Sequence, residues 1–558
     1  MTTDLQGFPP TAPVPQSARF FGAASPSDAL PSVFTFVEVL KAIGSTARQF
    51  RPADFGAKGD GVTDDRTALN AVFAASEAAG GGVVAFEPGA VHFITGPVTV
   101  SSNTVIQGNF AQLKCPDAGW EHGRDQNAPM LLFDSVENTA VLNLKHYGTK
   151  SQDLTHTPFA HLYIGTCHNI LVMGCVFEHS AFEACWGYGD HTHCAWVANY
   201  FENVGYPAPG YGALPALQIS AASSVVALNR FYDVGTGIGA SGDDALVVGN
   251  YVEEYRGVGI SSGDGNVQTG VLVTGNRLIT HGYSGYFSKG LYADKSVLGP
   301  SNGVAFIANE VTLIGEAGVG TLVAMMNSAQ CEHATFKQNV ITIDTAGTAT
   351  YLQGTTAGTT VVLEGNDITM VNVSANCRGF SGNPNGSGKT LTILSRNNNV
   401  WGATRAASAY AIFFHLSGGG TFKGQFANDY VDGGYISLAN VGLNDNGEYD
   451  GRFFSYRAAN TIASGATPAL DCSLGPVHAF TATAASTFGA PSKIPAAGEA
   501  VTVIITQDGT GGWAISWNAA YVFPSAWSNT GNMAGKKSVA RFVSDGSKLI
   551  AQGANVWY

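Results

Sequence analysis

Short runs of alternating apolar and polar residues fill the chain from about residue 100 to 435. Many of them end in Gly-Asn or a similar pair and resume with an apolar residue two positions later, as in Val105–Asn109, Leu246–Asn250 and Val361–Asn366. Aligned on that Asn, the repeat falls at positions 109, 143, 175 (a Cys), 199, 229, 250, 276, 309, 339, 366, 398 and 428. The eleven intervals span 319 residues, a mean of 29, which is typical of a repeat architecture. Strand-type alternation favours a β-solenoid over helical repeats.

The repeat predicts an all-β fold, a right-handed parallel β-helix in which each turn stacks its strands on those of the turn before. Alternate apolar side chains then fill the interior, and neighbouring strands lie about 4.8 Å apart. We expect the recurring Asn side chains to hydrogen-bond to one another along one corner of the stack. Gly relieves the corners at which φ is positive.

One helix is predicted ahead of the repeat. Thr63 or Asp64 can cap it, Gly80–Gly82 ends it, and a strand begins with Val83–Phe86. Its apolar face consists of Leu69, Val72, Phe73 and Ser76 or Ala79. Because an open solenoid end exposes both the core and the strand edges, we expect this helix to cover the first turn.

The two ends of the chain differ from the repeat. Residues 1–50 contain six prolines and lack the basic and apolar regions of a signal peptide, which predicts an extended arm. Alternating residues in Ala500–Trp517 surround a Gly-rich turn and predict a β-hairpin. The predicted division is an arm at 1–50, a β-helix at 51–458, and a C-terminal β domain for trimerisation or glycan binding at 459–558. The sequence has no apolar run of 18 residues, so membrane insertion is not expected.

The composition argues against several classes of protein. Only 12% of the residues are charged, 41 Asp and Glu outnumber 28 Lys and Arg, and the net charge is −13. Nucleic acid is not an expected partner, because phosphate recognition needs clustered Lys and Arg. The 70 Gly residues argue against an all-helical protein, and the 45% hydrophobic content argues against disorder. The eight Cys are too few for a disulfide scaffold, and we expect buried free thiols.

The run Asp54–Asp65, followed by Ala68 and Leu69, resembles the N-terminal signature of the pectate-lyase-like β-helix superfamily. That superfamily includes bacteriophage tailspikes and other polysaccharide depolymerases. The pattern Ile505–Trp513 is similar to small C-terminal β domains of phage tail proteins. The resemblance implies a homotrimer that binds and cuts a bacterial surface polysaccharide. It also implies attachment to the phage tail or baseplate through the N-terminal arm, in a virion whose parts are made in the host cytoplasm.

The stretch 161–290 carries the richest candidate chemistry. It contains ten carboxylates against four Lys or Arg, together with many Trp and Tyr residues. Glycoside hydrolysis uses two carboxylates, and aromatic rings stack on sugars. A lyase usually needs cations to stabilise the anion that forms next to a uronate carboxylate. The scarcity of cations therefore favours a glycoside hydrolase, with no cofactor and no metal.

The repeat also sets the register of several candidates. Glu178, Glu202 and Glu253 all stand three residues after the aligned Asn position, directly after an inward apolar residue. Successive strand residues point to opposite faces, so Glu178 and Glu202 should share the outer face of neighbouring turns. Asp244 and His193 share another position, six residues before the aligned Asn. Two carboxylates that lie close together repel each other, and this is how an acid/base pair is made.

Gly242–Asp244 is similar to the Asp-Asp element of polygalacturonase-type glycosidases. Gly257–Gly263 resembles their Gly-His-Gly-Ile-Ser segment, but Val258 stands where His would be, and no Arg-Ile-Lys follows. The match is partial. The predicted catalytic residues are Asp243, Asp244, Asp264 and Glu202. The predicted substrate-binding residues are Trp186, Tyr188, His191, His193, Glu178 and Tyr232.

Tyr188–His193 supports alternatives. Its Tyr, Asp and His residues loosely resemble alginate lyase and epimerase sites, so a polysaccharide lyase or epimerase is the runner-up. With Cys185 and Cys194 the same loop could bind a metal, or it could be a hydrogen-bonded structural loop. A spike that binds its receptor without cutting it is a further alternative. The sequence identifies neither the polysaccharide nor its linkage.

Overall fold

The computed structural model describes residues 48–117, 120, 129–149, 160–187, 191–205, 213–262, 269–281, 288–293, 303–315, 322–327, 331–344, 347–354, 358–371, 378–384, 389–401, 410–414, 421–431, 435–437, 452–455, 460–474, 477–553 and 557. These residues form two compact units. The first unit contains the described residues up to 205, with 215–230 and 242–246. The second unit contains 213–214, 231–241 and the described residues from 247 onward. The predicted arm lies almost wholly outside the described residues, and the three-part division stays a prediction.

The first unit is a stack of turns with three columns of parallel strands. Column A consists of Gln49–Phe50, Gly82–Ala85, Thr104–Gln107, Glu137–Leu142, His168–Met173, Ala195–Val197 and Val225–Ala227. Column B consists of Asp60–Asp64, Val91–Phe93, Gln112–Lys114, Lys145–Tyr147, Val176–Ser180 and Tyr200–Val204. Column C consists of Val98–Thr99, Leu131–Phe133, Leu162–Ile164, Cys185–Gly187 and Pro215–Ile219. This arrangement confirms the predicted parallel β-helix.

The second unit has the same three-sided construction. Its first column consists of Leu246–Val248, Leu272–Thr274, Val304–Ile307, His333–Lys337, Thr359–Glu364, Thr390–Arg396, Thr421–Val431 and Arg452–Ser455. Its second column consists of Arg230–Val234, Tyr251–Tyr255, Arg277–Thr280, Glu310–Ile314, Val340–Asp344, Asp367–Val371 and Asn399–Trp401. Its third column consists of Thr236–Ala240, Val258–Ser262, Lys289–Ala293, Leu322–Asn327, Gly347–Gly354, Arg378–Pro384, Tyr410–Phe414 and Tyr435–Ser437.

The predicted Asn ladder is present in both units. In the first unit the side chain of Asn199 donates to Oδ1 of Asn229 at 2.9 Å. In the second unit the same bond runs from Asn250 to Asn276 at 2.9 Å and then from turn to turn. The further members are Asn309, Asn339, Asn366, Asn398 and Asp429. The last position was predicted at 428 and is wrong by one residue, because the Asp429 carboxylate accepts the final bond. These buried amides satisfy one another, so the ladder fixes the stacking of the turns.

Glycine is required at one of the corners between column A and column B, at Gly174. Gly174 has φ +65°, and a Cβ there would lie 2.3 Å from Oδ1 of Asn143. Only glycine combines this left-handed backbone with so close an approach. The corner can therefore turn within two residues between column A and column B.

The α-helix spans Arg66–Ala78 and buries its predicted apolar face, including Leu69, Val72 and Phe73. The predicted cap was wrong: the helix begins after Asp65, whereas Thr63 and Asp64 belong to the preceding strand. Asp65 stands at the cap position but makes no capping hydrogen bond with its side chain, because its carboxylate has other partners. It accepts hydrogen bonds from the backbone amides of Lys58 and Gly59 and contacts the His92 ring at 2.7 Å. Two 3₁₀ turns, Pro52–Phe55 and Cys472–Leu474, are the other helical segments among the described residues.

The C-terminal residues form a six-stranded sheet and a two-stranded sheet. The six strands, in spatial order, are Asn460–Ile462, Val477–Ala482, Ala500–Gln507, Lys537–Ser544, Leu549–Ala551 and Tyr521–Val522. The pair is Ser486–Phe488 with Ile515–Trp517. The predicted hairpin within Ala500–Trp517 was wrong, because both edges of Ala500–Gln507 are filled by other strands. Gln507 and Asp508 instead hold Trp513 by side-chain hydrogen bonds.

Seven cysteines lie in the described part of the chain, and all are buried free thiols, as predicted. Burial raises the pKa of Cys115, Cys175 and Cys194 to about 12, so these thiols stay protonated at neutral pH. Thiols of this kind act as small apolar side chains. The stretch of chain that the structure covers includes no helix of the length and apolarity needed to cross a membrane.

Candidate functional site

Column B brings Glu178 and Glu202 to the same register position on neighbouring strands. The residues before them, Phe177 and Phe201, are fully buried and stack with ring centroids 4.8 Å apart. Because side chains alternate along a strand, the two glutamates lie on the outer face, where both are half-buried. The expected pairing on one face is confirmed. Two glutamates therefore project from the same surface, on strands that are direct neighbours.

Tyr200 lies on the same strand as Glu202 and donates a side-chain hydrogen bond to it. Burial raises the pKa of Tyr200, and so do this bond and the charges of Glu202 and Glu178, whereas Arg230 lowers it; the result is a pKa of about 12. The Tyr200 hydroxyl thus keeps its proton through the neutral range. The surface combines two carboxylates, a phenol donor and a guanidinium within reach of that phenol.

The neighbouring turn extends the same face with Tyr147 and Lys145. Tyr147 is in register with Glu178, and its ring meets the His179 ring edge-on at 5.0 Å. Lys145 is in register with Val176. An aromatic ring next to two carboxylates has the composition of a sugar-binding surface, because the ring covers apolar C–H faces while the carboxylates accept hydroxyl hydrogens.

Tyr232 was predicted to bind substrate, and it belongs to the second unit, where it is 37% exposed. The residue after it, Asp233, lies 3.7 Å from the guanidinium of Arg256. In the same unit, Nδ1 of His281 is hydrogen-bonded to the carboxylate of Glu254. Asp233 and Glu254 both have positive φ near the ends of their strands.

Asp243 and Asp244 lie elsewhere, at the corner that leads from column C to column A. The backbone amide of His193 donates to the carbonyl of Ala222, and that of Ser223 donates to the carbonyl of Asp243. The corner segments of three successive turns are therefore stacked. His193, Asp243 and Asp244 are all exposed on this corner.

The backbone of that corner is left-handed in every turn of the first unit that reaches it. φ is +54° at His193, +52° at Ser223 and +52° at Asp244. Asn occupies the equivalent corners of earlier turns, at 103, 138 and 169, also with positive φ. Asn and Asp tolerate this conformation better than other side chains, so the corner alone explains an Asp at 244.

Column C carries Trp186, which is in register with Tyr163 on one side and Gln218 on the other. The rings of Tyr163 and Trp186 lie 5.4 Å apart at an angle of 59°. Column C thus carries two aromatic rings at this register position, whereas column B carries the two glutamates at its own. Trp186 does not share a column with Glu178 and Glu202.

His191 was expected to line the groove, but it is only 2% exposed. Its Nε2 lies 2.7 Å from the point where a Cβ on Gly187 would stand. The imidazole therefore fills the space beside Gly187 and packs behind the strand. Tyr188 and Asp264 lie outside the described residues.

Several residues of these surfaces were not singled out as site residues from the sequence. Tyr200 and Arg230 each stand directly after the aligned Asn, at 199 and 229, and the same offset would have placed both on the outer face. Tyr163 was missed because column C follows connections of varied length, so the aligned Asn gives it no fixed offset.

Comparisons with known proteins agree with this architecture. A family model described as rhamnogalacturonase A/epimerase, pectate lyase-like, matches residues 52–118, which include the Asp54–Asp65 run. The tailspike protein of E. coli bacteriophage HK620, solved with a pentasaccharide, is 14% identical; the match covers 77% of this chain and 84% of that one, with a TM-score of 0.51. The chain has the fold of a phage tailspike β-helix. The resemblance inferred from Asp54–Asp65 is confirmed at the level of this fold.

Two further solved structures are similar to the chain. A variant of the HK620 tailspike with a hexasaccharide is 13% identical over 75% of this chain and 86% of that one, with a TM-score of 0.52. The Streptococcus pneumoniae surface protein and adhesin PfbA is 15% identical over 70% of this chain and 100% of that one, with a TM-score of 0.46. No curated protein matches the chain by sequence. At these identities the tailspike likeness establishes the fold, and the chemistry has to be argued from the residues.

Proposed function

We propose that this protein is a phage tailspike that binds and hydrolyses a bacterial surface polysaccharide, with Glu178 and Glu202 as the catalytic pair. The observation that carries the proposal is the register pairing of these two glutamates on the outer face of column B. Two carboxylates that face one glycosidic bond are the recurring requirement of glycoside hydrolysis. The HK620 tailspike, which has the same fold, was solved with bound oligosaccharides, and this supports a glycan ligand.

The spacing favours a retaining mechanism. Neighbouring strands lie about 4.8 Å apart, and glutamates that project in parallel from them can hold their carboxyl groups about 5–5.5 Å apart, the separation in retaining enzymes. One carboxylate attacks the anomeric carbon while the other, as the acid, protonates the leaving oxygen. The second residue then takes a proton from water, whose oxygen displaces the carboxylate from the sugar and restores both groups.

The side chains next to the two glutamates indicate which one is the nucleophile and which one is the acid. Tyr200 donates its hydroxyl to Glu202, which holds that carboxylate in place as a hydrogen-bond acceptor and suits it to act as the nucleophile. Glu178, one strand away, serves as the acid and then as the base. Arg230 lies close enough to act electrostatically on the Tyr200 phenol and supplies positive charge beside the two acids.

Asp243, Asp244 and Asp264 remain the alternative catalytic set. Asp243 and Asp244 are exposed on the corner after column C, on the same corner stack as His193. A glycan lying over that corner would meet them first. Substitution of each carboxylate by its amide separates the two sets, because the amide keeps the shape and removes the acid or nucleophile.

The wider assignments belong to the same proposal. The homotrimer, the attachment of the arm to the tail or baseplate, and the location in the virion follow the tailspike likeness. The runner-up is a lyase or epimerase, and a spike that only adheres is the third option. Glu178 and Glu202 favour hydrolysis, because two carboxylates on one surface are what a glycoside hydrolase uses.

The test uses purified bacterial capsular and O-antigen polysaccharides as a panel. Release of new reducing ends without absorbance from a C=C bond supports a hydrolase. Absorbance from unsaturated ends would show that the enzyme is a lyase and would contradict the hydrolase proposal. Binding of a polysaccharide without release of reducing ends would indicate a spike that only adheres.

A further inference from the structure

We propose that the outer face of column B binds an acidic sugar next to the cleaved bond, through Lys114, Lys145 and Tyr147. The ligand is a polysaccharide whose sugars carry carboxylates. This assignment rests on the proposed function, because it names the class of sugar that the surface around Glu178 and Glu202 takes. We call Lys114, Lys145 and Tyr147 the basic subsite.

One row of side chains connects the basic subsite to the two glutamates. Lys114 is in register with Tyr147, and Tyr147 is in register with Glu178. Glu178 is in register with Glu202, so the row crosses four successive strands of the first unit. Lys145 stands two residues before Tyr147, and side chains at that spacing leave a strand on the same face. The two ammonium groups and the ring therefore share a face with the two glutamates.

The burial pattern shows that the basic subsite faces outward. Leu113 and His146 directly precede Lys114 and Tyr147, and both are buried in the interior. Lys114 and Tyr147 are half-buried, and Lys145 is exposed. A ligand can therefore approach all three side chains of the subsite from the solvent.

Neither ammonium group of the basic subsite has an ion-pair partner in the described part of the chain. Other cations on the strands are compensated: Lys337 and Arg396 both pair with the carboxylate of Glu364. Lys114 and Lys145 thus leave two uncompensated positive charges on one small surface, in a chain whose net charge is −13. The complement of such a surface is an anionic group.

A sugar that carries a carboxylate fits these side chains better than a neutral sugar does. The Tyr147 ring can cover the C–H face of a sugar, and its contact with the His179 ring at 5.0 Å holds it in position. A carboxylate at the edge of that sugar would meet Lys114 across one strand spacing of about 4.8 Å, or Lys145 about 7 Å along the strand. A hydrogen bond from an ammonium group to a carboxylate is stronger than one to a hydroxyl group, so the two lysines favour the acidic sugar.

The register places this sugar next to the bond that is cut. Tyr147 is one strand from Glu178 and two strands from Glu202. A polysaccharide that crosses the strands would rest one ring on Tyr147 and present the neighbouring glycosidic bond to the glutamates. The substrate carboxylate and the enzyme carboxylates would repel each other, and the two ammonium groups offset that repulsion.

The experiment measures binding of polysaccharide by the full chain carrying Glu202→Gln, so that bound polymer is not cut. The probes are purified bacterial capsular and O-antigen polysaccharides of three kinds: uronate-bearing, phosphate-bearing and neutral. Each uronate polymer that is retained is tested again after chemical reduction of its carboxylates to alcohols, which leaves its linkages unchanged. Uronate polymers should be retained, and the reduction should weaken their binding about tenfold or more.

Substitutions in the same background separate charge from stacking. Lys114→Met and Lys145→Met should each weaken binding of the uronate polymer about threefold, and together about tenfold, without changing binding of the reduced polymer. Lys114→Arg and Lys145→Arg keep the charge and should retain most of the binding. Tyr147→Ala should weaken binding of both forms of the polymer, because stacking on a ring does not depend on the carboxylate. The matched control is Lys537→Met, which removes an exposed lysine of the C-terminal sheet and should bind as the parent does.

The basic subsite is overturned if only neutral or phosphate-bearing polymers are retained, or none. Equal binding of the uronate polymer by the parent and by the double lysine variant would overturn it as well. The hydrolase proposal fails separately: if the chain with intact Glu202 binds a uronate polymer but releases no reducing ends, or releases unsaturated ends, the subsite stands without the hydrolase. If that chain cuts a neutral polymer equally fast with both lysines replaced, hydrolysis stands and the subsite falls.

Discussion

Glu178 and Glu202 stand opposite each other on neighbouring parallel strands, each directly after a buried phenylalanine that stacks on its counterpart. Backbone hydrogen bonds set the spacing of the two strands, and the Phe177 and Phe201 rings stack at that spacing inside. The glutamates inherit that spacing on the outside. Their juxtaposition is therefore a property of the stack, which holds two groups of like charge next to each other.

Replacing either glutamate by its amide should remove activity and leave the fold intact. Acid, base and nucleophile roles contribute about 10²–10⁴-fold each, so we expect Glu202→Gln and Glu178→Gln to lose at least about 100-fold in reducing-end release. Thermal unfolding should shift little, since both side chains are on the surface. Glu310→Gln is the control, because Glu310 is 48% exposed in the second unit and pairs with Arg277. Full activity in both amide variants would remove the pair from the mechanism.

Asp244→Asn should leave the free energy of unfolding unchanged. Asn fills the equivalent left-handed corner at 103, 138 and 169, so the substitution fits the backbone that Asp244 adopts at φ +52°. Asp244→Val should instead destabilise the protein by about 1–3 kcal/mol, because a β-branched residue is strained there. Denaturant unfolding measures both. Since Asp244→Asn preserves structure, loss of turnover in that variant would move catalysis to the alternative carboxylates.

Much of this arrangement could be predicted because the aligned Asn gives the strand residues that follow it a fixed offset. The offset of three residues placed Glu178 and Glu202 on one face, and the buried ladder followed from the same alignment. The offset is lost where the chain between columns varies in length. The register pairing of Trp186 with Tyr163 on column C therefore could not be predicted. The offset also gives no account of burial at a bend, which is why His191 was expected at the surface and is found behind Gly187.

Asn309→Ala should destabilise the protein by about 1–3 kcal/mol, the cost of leaving buried polar groups without partners. Asn309 is 1% exposed, donates to Asn339 and accepts from Asn276. Its loss interrupts the ladder between three turns. Gln107→Ala, on an exposed strand position, should change the free energy of unfolding by less than about 0.5 kcal/mol. Equal effects of the two substitutions would show that the ladder contributes no special stability.

Two histidines inside the first unit should make stability depend on pH. Burial lowers the pKa of His161 to about 3 and that of His146 well below its usual value, and both rings stack on Phe177. The unfolded chain binds protons near pH 6.5 while the folded chain does not, so stability is full above that pH. It should fall as the pH drops from about 6.5 toward 3.

The slope should be up to about 1.4 kcal/mol per pH unit for each histidine. His146→Leu provides the comparison, because Leu113 occupies the same interior position one turn earlier. Denaturant melts of the variant between pH 7 and pH 4 should show a shallower loss than those of the parent. Identical slopes would mean that these rings are not the titrating groups.

The most direct test of the account is the configuration of the first product, followed by proton NMR while the protein cuts a polysaccharide selected from the panel. A Glu178–Glu202 pair at one strand spacing predicts that the new reducing end first appears with the same anomeric configuration as the cleaved linkage. Initial release of the opposite anomer would contradict the pair as nucleophile and acid, and an unsaturated product would contradict hydrolysis itself.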